Sequence, residues 1–148
     1  MTDIKRNLDL VVDANIMRLY DKPKDPKVQE LFLWIRKDGT LTISQKLLNE
    51  YIGSQRDSGL IQALIMELMD NRRLKKIKNK SLKEFSGDRR YNYTCNGEDH
   101  MHARLVFLSK RKKLLSFDEP LINDVNGFKK IDGVHPKATK DINKTFYA

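Results

Sequence analysis

Apolar residues in this chain fall into short continuous runs separated by stretches of helical spacing. Two of the runs, LDLVVD at 8–13 and KLLSFD at 113–118, are each closed by an acid, as strands buried in a parallel sheet often are. The polar ANIMRLYDK that follows Asp13 predicts a loop or short helix, and the pattern breaks over 22–26. From Pro26 a helix is expected, because Val28, Leu31, Phe32 and Ile35 keep 3.6-residue periodicity, Trp34 adds bulk and Gly39 follows its end. Residues 41–44 alternate apolar and hydroxyl side chains like a short strand, and QKLLNEYIG continues as a helix carrying Glu50 as far as Gly53. After a loop over 53–59, Leu60, Ile61, Leu64, Ile65, Leu68 and Met69 predict one long helix over 60–76. Its stripe reads as a core face, with a dimer face as the alternative.

The second half is less regular. Tyr91, Tyr93 and Cys95 alternate with polar residues as in a short strand, before the turn dipeptide Asn96-Gly97. A helix is then expected over 98–110, a strand over 114–117, a short helix over 120–126 stopped by Gly127, and a final strand over 128–131. The tail beyond Pro136 is polar and should pack poorly until Phe146 and Tyr147. This alternation implies an α/β fold with a mostly parallel central sheet and helices on both faces, in a single domain over 1–148.

If the strands ending in Asp13 and Asp118 lie side by side, their carboxyl ends open at one edge, where ligands of open α/β sheets bind. Converging carboxylates repel by about 4 kcal/mol at 4 Å and an effective dielectric near 20, so a cluster must take up protons or hold cations. A hard divalent ion is the simpler resolution.

The charge adds a second element. A net charge of +9 with a sequence pI near 9.6 points to a polyanionic partner, nucleic acid first. Basic residues cluster at 71–80, 110–113 and 129–144. They make Arg72, Arg73, Lys75, Lys76, Lys110, Arg111, Lys112 and Lys113 candidates for nucleic-acid binding, beside the ordinary reading of such runs as solvated faces. An acidic pocket within a basic protein suits metal-assisted cleavage of a polyanion. No apolar run approaches a membrane span, the opening MTDIKRN precedes no signal-peptide core, and the lone Cys95 cannot form an internal disulfide or a Cys-based zinc site. A cytoplasmic location is expected.

Other chemistry is less supported. His100 and His102 are two apart on a helix and do not share a face, so they are expected to be solvated rather than paired on a metal. His135 is a lone loop histidine without a nucleophile to serve, and there is no phosphate-cradling glycine-rich loop. Tyr91 and Tyr93 beside Arg89 and Arg90 suit strand packing better than base stacking.

VVDAN at 11–15, TISQKLLNEY at 42–51, EDHMHARLVF at 98–107 and LLSFD at 114–118 together resemble, in order and across nearly the whole chain, the four acidic motifs of the PIN-domain nucleases. Asp13, Glu50, Asp99 and Asp118 occupy the acidic positions, with six residues from Ser44 to Glu50 and nineteen from Asp99 to Asp118. Taken singly, each acid has a structural explanation: a helix cap, a surface position, a dipole complement or turn chemistry. The resemblance implies that all four bind Mg²⁺ or Mn²⁺, one or two ions, and carry catalysis. Asn15 and Ser116 match small polar positions and are candidates to orient the acids or a phosphate. Only Ala103 remains of the small-residue pattern after the third acid, and Glu98, Glu119 and Asp124 are neighbouring rivals. The resemblance further implies a metal-dependent endoribonuclease hydrolysing single-stranded RNA to 5′-phosphate and 3′-hydroxyl ends. It is similar to the small stand-alone members that act as the toxin of a toxin and antitoxin pair, or in RNA processing or defence, with an antitoxin protein and a second copy of the chain as partners. The alternative is a catalytically inactive PIN-like nucleic-acid-binding or assembly module.

Overall fold

The computed structural model of the chain describes residues 8–21, 23–54 and 59–148. The opening heptapeptide and the centre of the loop expected over 53–59 lie outside the described residues, as does Lys22. Five strands form one all-parallel sheet: β1 (Asp9–Val12), β2 (Thr40–Ile43), β3 (Leu74–Lys76), β4 (Lys113–Leu115) and β5 (Lys137–Thr139), in the order β3-β2-β1-β4-β5. Among the described residues, eight α-helices surround it: α1 (Ala14–Met17), α2 (Pro26–Lys37), α3 (Gln45–Ser54), α4 (Leu60–Asp70), α5 (Asn79–Glu84), α6 (His100–Leu108), α7 (Glu119–Gly127) and α8 (Lys144–Tyr147). The α/β class expected from the sequence is the one observed. Among the described residues, no helix is long and apolar enough to cross a membrane.

The chain winds outward from β1 in both directions, to β2 and β3 on one side and to β4 and β5 on the other. The step from β1 to β4 is therefore the switch point, and crevices at switch points open at the carboxyl ends of the strands. β1 and β2 are buried throughout because covered parallel strands have no solvent face. Val28, Leu31, Phe32, Trp34 and Ile35 form the buried stripe of α2, and Asp25 caps the helix by accepting the Lys27 N–H at 2.9 Å. Gly39 is required where it stands: a Cβ there would meet the Trp34 ring at 2.5 Å.

Several expected elements are corrected. The helix expected over 60–76 stops at Asp70. Arg72 adopts φ 58°, and the Arg73 and Arg72 N–H groups return to the Leu68 and Met69 carbonyls at 2.8 and 3.1 Å. This double closure terminates a helix and frees Leu74–Lys76 to pair as edge strand β3 with β2. Ile61, Leu64, Ile65 and Leu68 are core, whereas Leu60, Met66 and Met69 are exposed. Tyr91, Tyr93 and Cys95 form no strand; the two tyrosine rings pack edge to face on each other, at 5.1 Å between centroids. The final strand is not 128–131 but Lys137–Thr139, in the tail expected to pack poorly. Phe128 instead stacks on Phe107 at 4.0 Å, and Tyr147 is fully buried against Trp34. Both missed strands are sheet edges rich in lysine, where polar residues protect an open edge and erase the apolar signal.

Candidate metal centre

The site is built first from the ends of the two central strands. Asp13 follows β1 and its N–H donates to the Leu115 carbonyl of β4 at 2.9 Å. Its Oδ1 accepts the Ala14 N–H at 2.7 Å, capping α1, and its Oδ2 accepts the Ser116 hydroxyl at 2.7 Å. The Ser116 oxygen accepts the Asp118 N–H at 3.0 Å, while Asn15 donates to Asp13 Oδ2 at 3.4 Å and accepts the Phe117 N–H at 3.2 Å. Asp118 caps α7. These bonds hold both aspartates in single orientations, with Asn15 and Ser116 between them.

Glu50 arrives from α3, which is anchored where the Tyr51 hydroxyl donates to the Val12 carbonyl and where the Ser44 hydroxyl accepts the Leu47 N–H at 3.0 Å. His102 of α6 meets Glu50, with Nε2 3.0 Å from each carboxylate oxygen. Burial acts to raise the Glu50 carboxyl, but the hydrogen bond and charge of His102, helped by Lys46, hold it below its ordinary value. Ligand atoms of Asp13, Glu50 and His102 lie within 4.8 Å of one another. Asp99, at the start of α6, pairs with Asp118 and feels the charge of Asp13. Burial raises its carboxyl, and so do a side-chain hydrogen bond with Asp118, the Asp118 charge and the Asp13 charge, against some relief from His102.

The structure thus brings Asp13, Glu50, Asp99 and Asp118 to one edge from four separate segments. The carboxylates fit a hard divalent cation such as Mg²⁺ or Mn²⁺, whereas the imidazole of His102, whose Nε2 is engaged by Glu50, is a donor type better suited to Zn²⁺ or Fe²⁺. His102 is the residue missed. Expected in solvent, it is 2% exposed because α6 packs it towards α3. A signal was present: Asp99 and His102 are three apart and share a helix face. His100 points elsewhere and stacks on Tyr93 at 4.1 Å.

The rival carboxylates have other uses. Glu119 pairs with Lys140 at 3.0 Å on the surface. Glu98 is exposed, and its carbonyl accepts from Lys46. Asp124 is 1% exposed and accepts the Thr94 and Cys95 N–H groups and the Thr94 hydroxyl, at 2.8 to 3.1 Å. Burial, with the hydrogen bond to Asp124 next, pushes the Cys95 thiol up to about 12, so at neutral pH it is a protonated thiol and a poor nucleophile.

The basic runs are divided. Arg111 donates to the Asp9 and Tyr147 carbonyls at 2.9 and 2.6 Å, Lys112 to the Ser109 carbonyl at 2.7 Å, and Lys113 to the Phe146 carbonyl at 2.6 Å. The Lys110 and Arg111 N–H groups bind the buried Asp9 carboxylate at 2.7 and 2.9 Å. This is the amino-terminal edge of β1 and β4, opposite the acids, so the run packs the fold there rather than lining the acidic edge. Arg73 donates to the Gly39 carbonyl at 3.1 Å beside the exposed Arg72, also at the amino end of its strand, while Lys75 is exposed on β3. Lys76, at the carboxyl end of β3, donates to Gln45 and stands on the acidic edge together with Lys46.

Two expected outcomes follow from this geometry. His102→Ala should weaken Mn²⁺ binding to the protein alone by about 10- to 100-fold, the usual cost of losing an orienting partner. Titration calorimetry would read it, and unchanged affinity would remove His102 from the site. For Asp99, a raised folded value means that the folded state binds more protons, so its contribution to stability falls as pH rises from the unfolded value of about 3.9 through the folded one. In chelator at neutral pH, Asp99→Asn should therefore melt above the wild type, by roughly 1 kcal/mol after solvent screening, and the gap should close below pH about 4. A variant less stable than the wild type at neutral pH would contradict the carboxylate repulsion.

In comparisons with known proteins, no family model matches this chain and no curated protein matches its sequence.

Proposed function

We propose that this protein is a metal-dependent endonuclease of the PIN-like type, acting on single-stranded nucleic acid, with RNA favoured by the resemblance of its acidic motifs. The observation that carries the reading is the cluster of Asp13, Glu50 and His102, with the charges of Asp99 and Asp118 felt beside it, at the switch-point edge of a chain whose net charge is +9. When bound, one or two Mg²⁺ or Mn²⁺ ions supply the positive charge and Lewis acidity that in-line hydrolysis of a phosphodiester needs. Asp13 presents a carboxylate whose direction is set by Ser116 and Ala14. His102 holds Glu50 near it, and Asp99 and Asp118 form a second, mutually bonded pair. A water oxygen bonds to phosphorus as the bond to the 3′ oxygen breaks, leaving a 5′-phosphate and a 3′-hydroxyl. The attacking water's proton passes to solvent and the leaving oxygen takes one up.

The biological setting that suits such a chain is cytoplasmic RNA cleavage as a toxin restrained by an antitoxin protein, or RNA processing or defence. A homodimer through the exposed Met66 and Met69 of α4 belongs to the same proposal. The deciding experiment incubates the protein with end-labelled single-stranded RNA and its DNA counterpart, in Mn²⁺, Mg²⁺ or chelator, beside Asp13→Asn. Metal-dependent cleavage lost in the variant supports the nuclease and selects its substrate. Equal cleavage by both proteins would assign the activity to a contaminant, and salt-sensitive binding without cleavage would favour the inactive binding module.

A further inference from the structure

At the carboxyl edge of the sheet, on the β4 and β5 side, lies an open groove of about 700 Å³. Its walls come from three segments at the same sheet edge: the entry into α2, the turn after β4 and the stretch after β5. Leu19, Val28 and Ile142 provide apolar surface, and Phe117 stands at the rim with 44% of its surface in water. Phe117 is the residue between Ser116, which binds Asp13, and Asp118. Its backbone N–H is held by Asn15, so its ring is presented from a fixed mount at the same sheet edge as the acids.

The groove carries Lys24, Lys27 and Lys140 against Asp25 and Asp141. Asp25 is turned to its own helix, capping α2 through the Lys27 N–H. Lys140 pairs with Glu119 in full solvent, where exchanging one anion for another costs little. An exposed aromatic ring that shares a groove with lysines, at the sheet edge of the proposed nuclease centre, has the elements of a single-strand binding groove: a stacking platform for a base and charges for the backbone. A duplex could not use the ring, because its bases are already stacked.

We propose that this groove holds the strand next to the scissile phosphate, with one unpaired base stacked on Phe117 and neighbouring phosphates at Lys27 and Lys140. The proposal rests on the nuclease reading above and deepens it, since it makes single-strandedness a property read by the protein.

The test measures binding of a labelled oligouridine in Ca²⁺ by fluorescence anisotropy, with cleavage in Mn²⁺ followed in parallel. Phe117→Leu keeps bulk and removes stacking, and it should weaken binding by about 5- to 150-fold, the equivalent of one base stacked on an aromatic ring. Phe117→Trp should restore it. The paired substitutions Lys27→Ala and Lys140→Ala should reduce the salt slope by about 1.4, at roughly 0.7 per phosphate contact. Mn²⁺ binding to each variant alone should match the wild type, which separates the groove from the metal centre. Wild-type cleavage with undiminished binding by Phe117→Leu would overturn the groove and leave the nuclease standing. A wild type that neither binds nor cleaves would overturn both. Displacement of oligouridine by polyglutamate at equal strength would assign the groove to an acidic polypeptide and overturn the proposal.

Discussion

Asp13→Asn is expected to slow metal-dependent cleavage by about a thousandfold while leaving the fold intact. The side chain is nearly buried, and its two oxygens are occupied by the Ala14 N–H and the Ser116 hydroxyl. An asparagine in the same rotamer retains an acceptor for Ala14 and can donate its amide to the Ser116 oxygen, so shape and the two shortest contacts survive while the 3.4 Å bond from Asn15 is lost. What disappears is one negative charge at the point where Glu50 and His102 also converge. The charge stabilisation a metal lends to a phosphoryl transition state is worth several kcal/mol; a loss of about 4 kcal/mol corresponds to roughly three powers of ten in rate. Single-turnover cleavage in saturating Mn²⁺ separates lost chemistry from lost affinity, and a melting curve confirms folding. A variant within tenfold of the wild type would mean that Asp13 serves only as the cap of α1.

The largest effect on stability is expected at Asp124, a residue with no part in the proposed chemistry. Its carboxylate gathers the Thr94 and Cys95 N–H groups and the Thr94 hydroxyl from a segment that lacks ladder partners of its own. Burial raises its carboxyl, but the bonds from Cys95 and Thr94 outweigh that and hold it below the ordinary value. Asp124→Ala leaves these donors facing a void, at about 1 to 3 kcal/mol for each one that stays unsatisfied. A total of about 4 kcal/mol translates, in a domain of this size, into a melting temperature lower by roughly 10 °C. Asp124→Asn, which preserves one acceptor oxygen, should lose less. Chemical denaturation of the three proteins would show the order, and a loss below about 1 kcal/mol for alanine would indicate that water replaces the carboxylate. Residues 94–95 lead directly into the turn that presents Asp99, so the alanine variant should also lose metal affinity.

These effects contrast two kinds of acid. Asp124 is saturated with donors and its charge is stabilised by the fold. Asp99 faces other carboxylates, and its charge is tolerated rather than stabilised, a repulsion that the cation of the proposed function would relieve.

The interior of the fold was readable from residue pattern because burial leaves a periodic trace. β1, β4 and α2 are apolar where they face the core, and the acids closing β1 and β4 stand out against that background. The pattern failed at the two edges. Leu74–Lys76 looks like more of α4 because lysines are good helix formers, and only the left-handed turn at Arg72 shows that the helix has ended. Lys137–Thr139 looks like a loose tail because a three-residue edge strand needs few apolar positions.

By itself, then, the sequence determined the α/β class, the two central strands and the four acids at their ends and on neighbouring helices, since each is a local matter of periodicity, capping or residue type. Tertiary structure decided what those residues meet. It set the strand order that makes β1 and β4 neighbours, paired Asp99 with Asp118, buried His102 against Glu50, withdrew Arg111, Lys112 and Lys113 to the far edge, and gave Asp124 to the scaffold. The reason is physical: distances between segments far apart in the chain follow from how whole faces pack, and no local pattern encodes which buried partner a polar side chain will find.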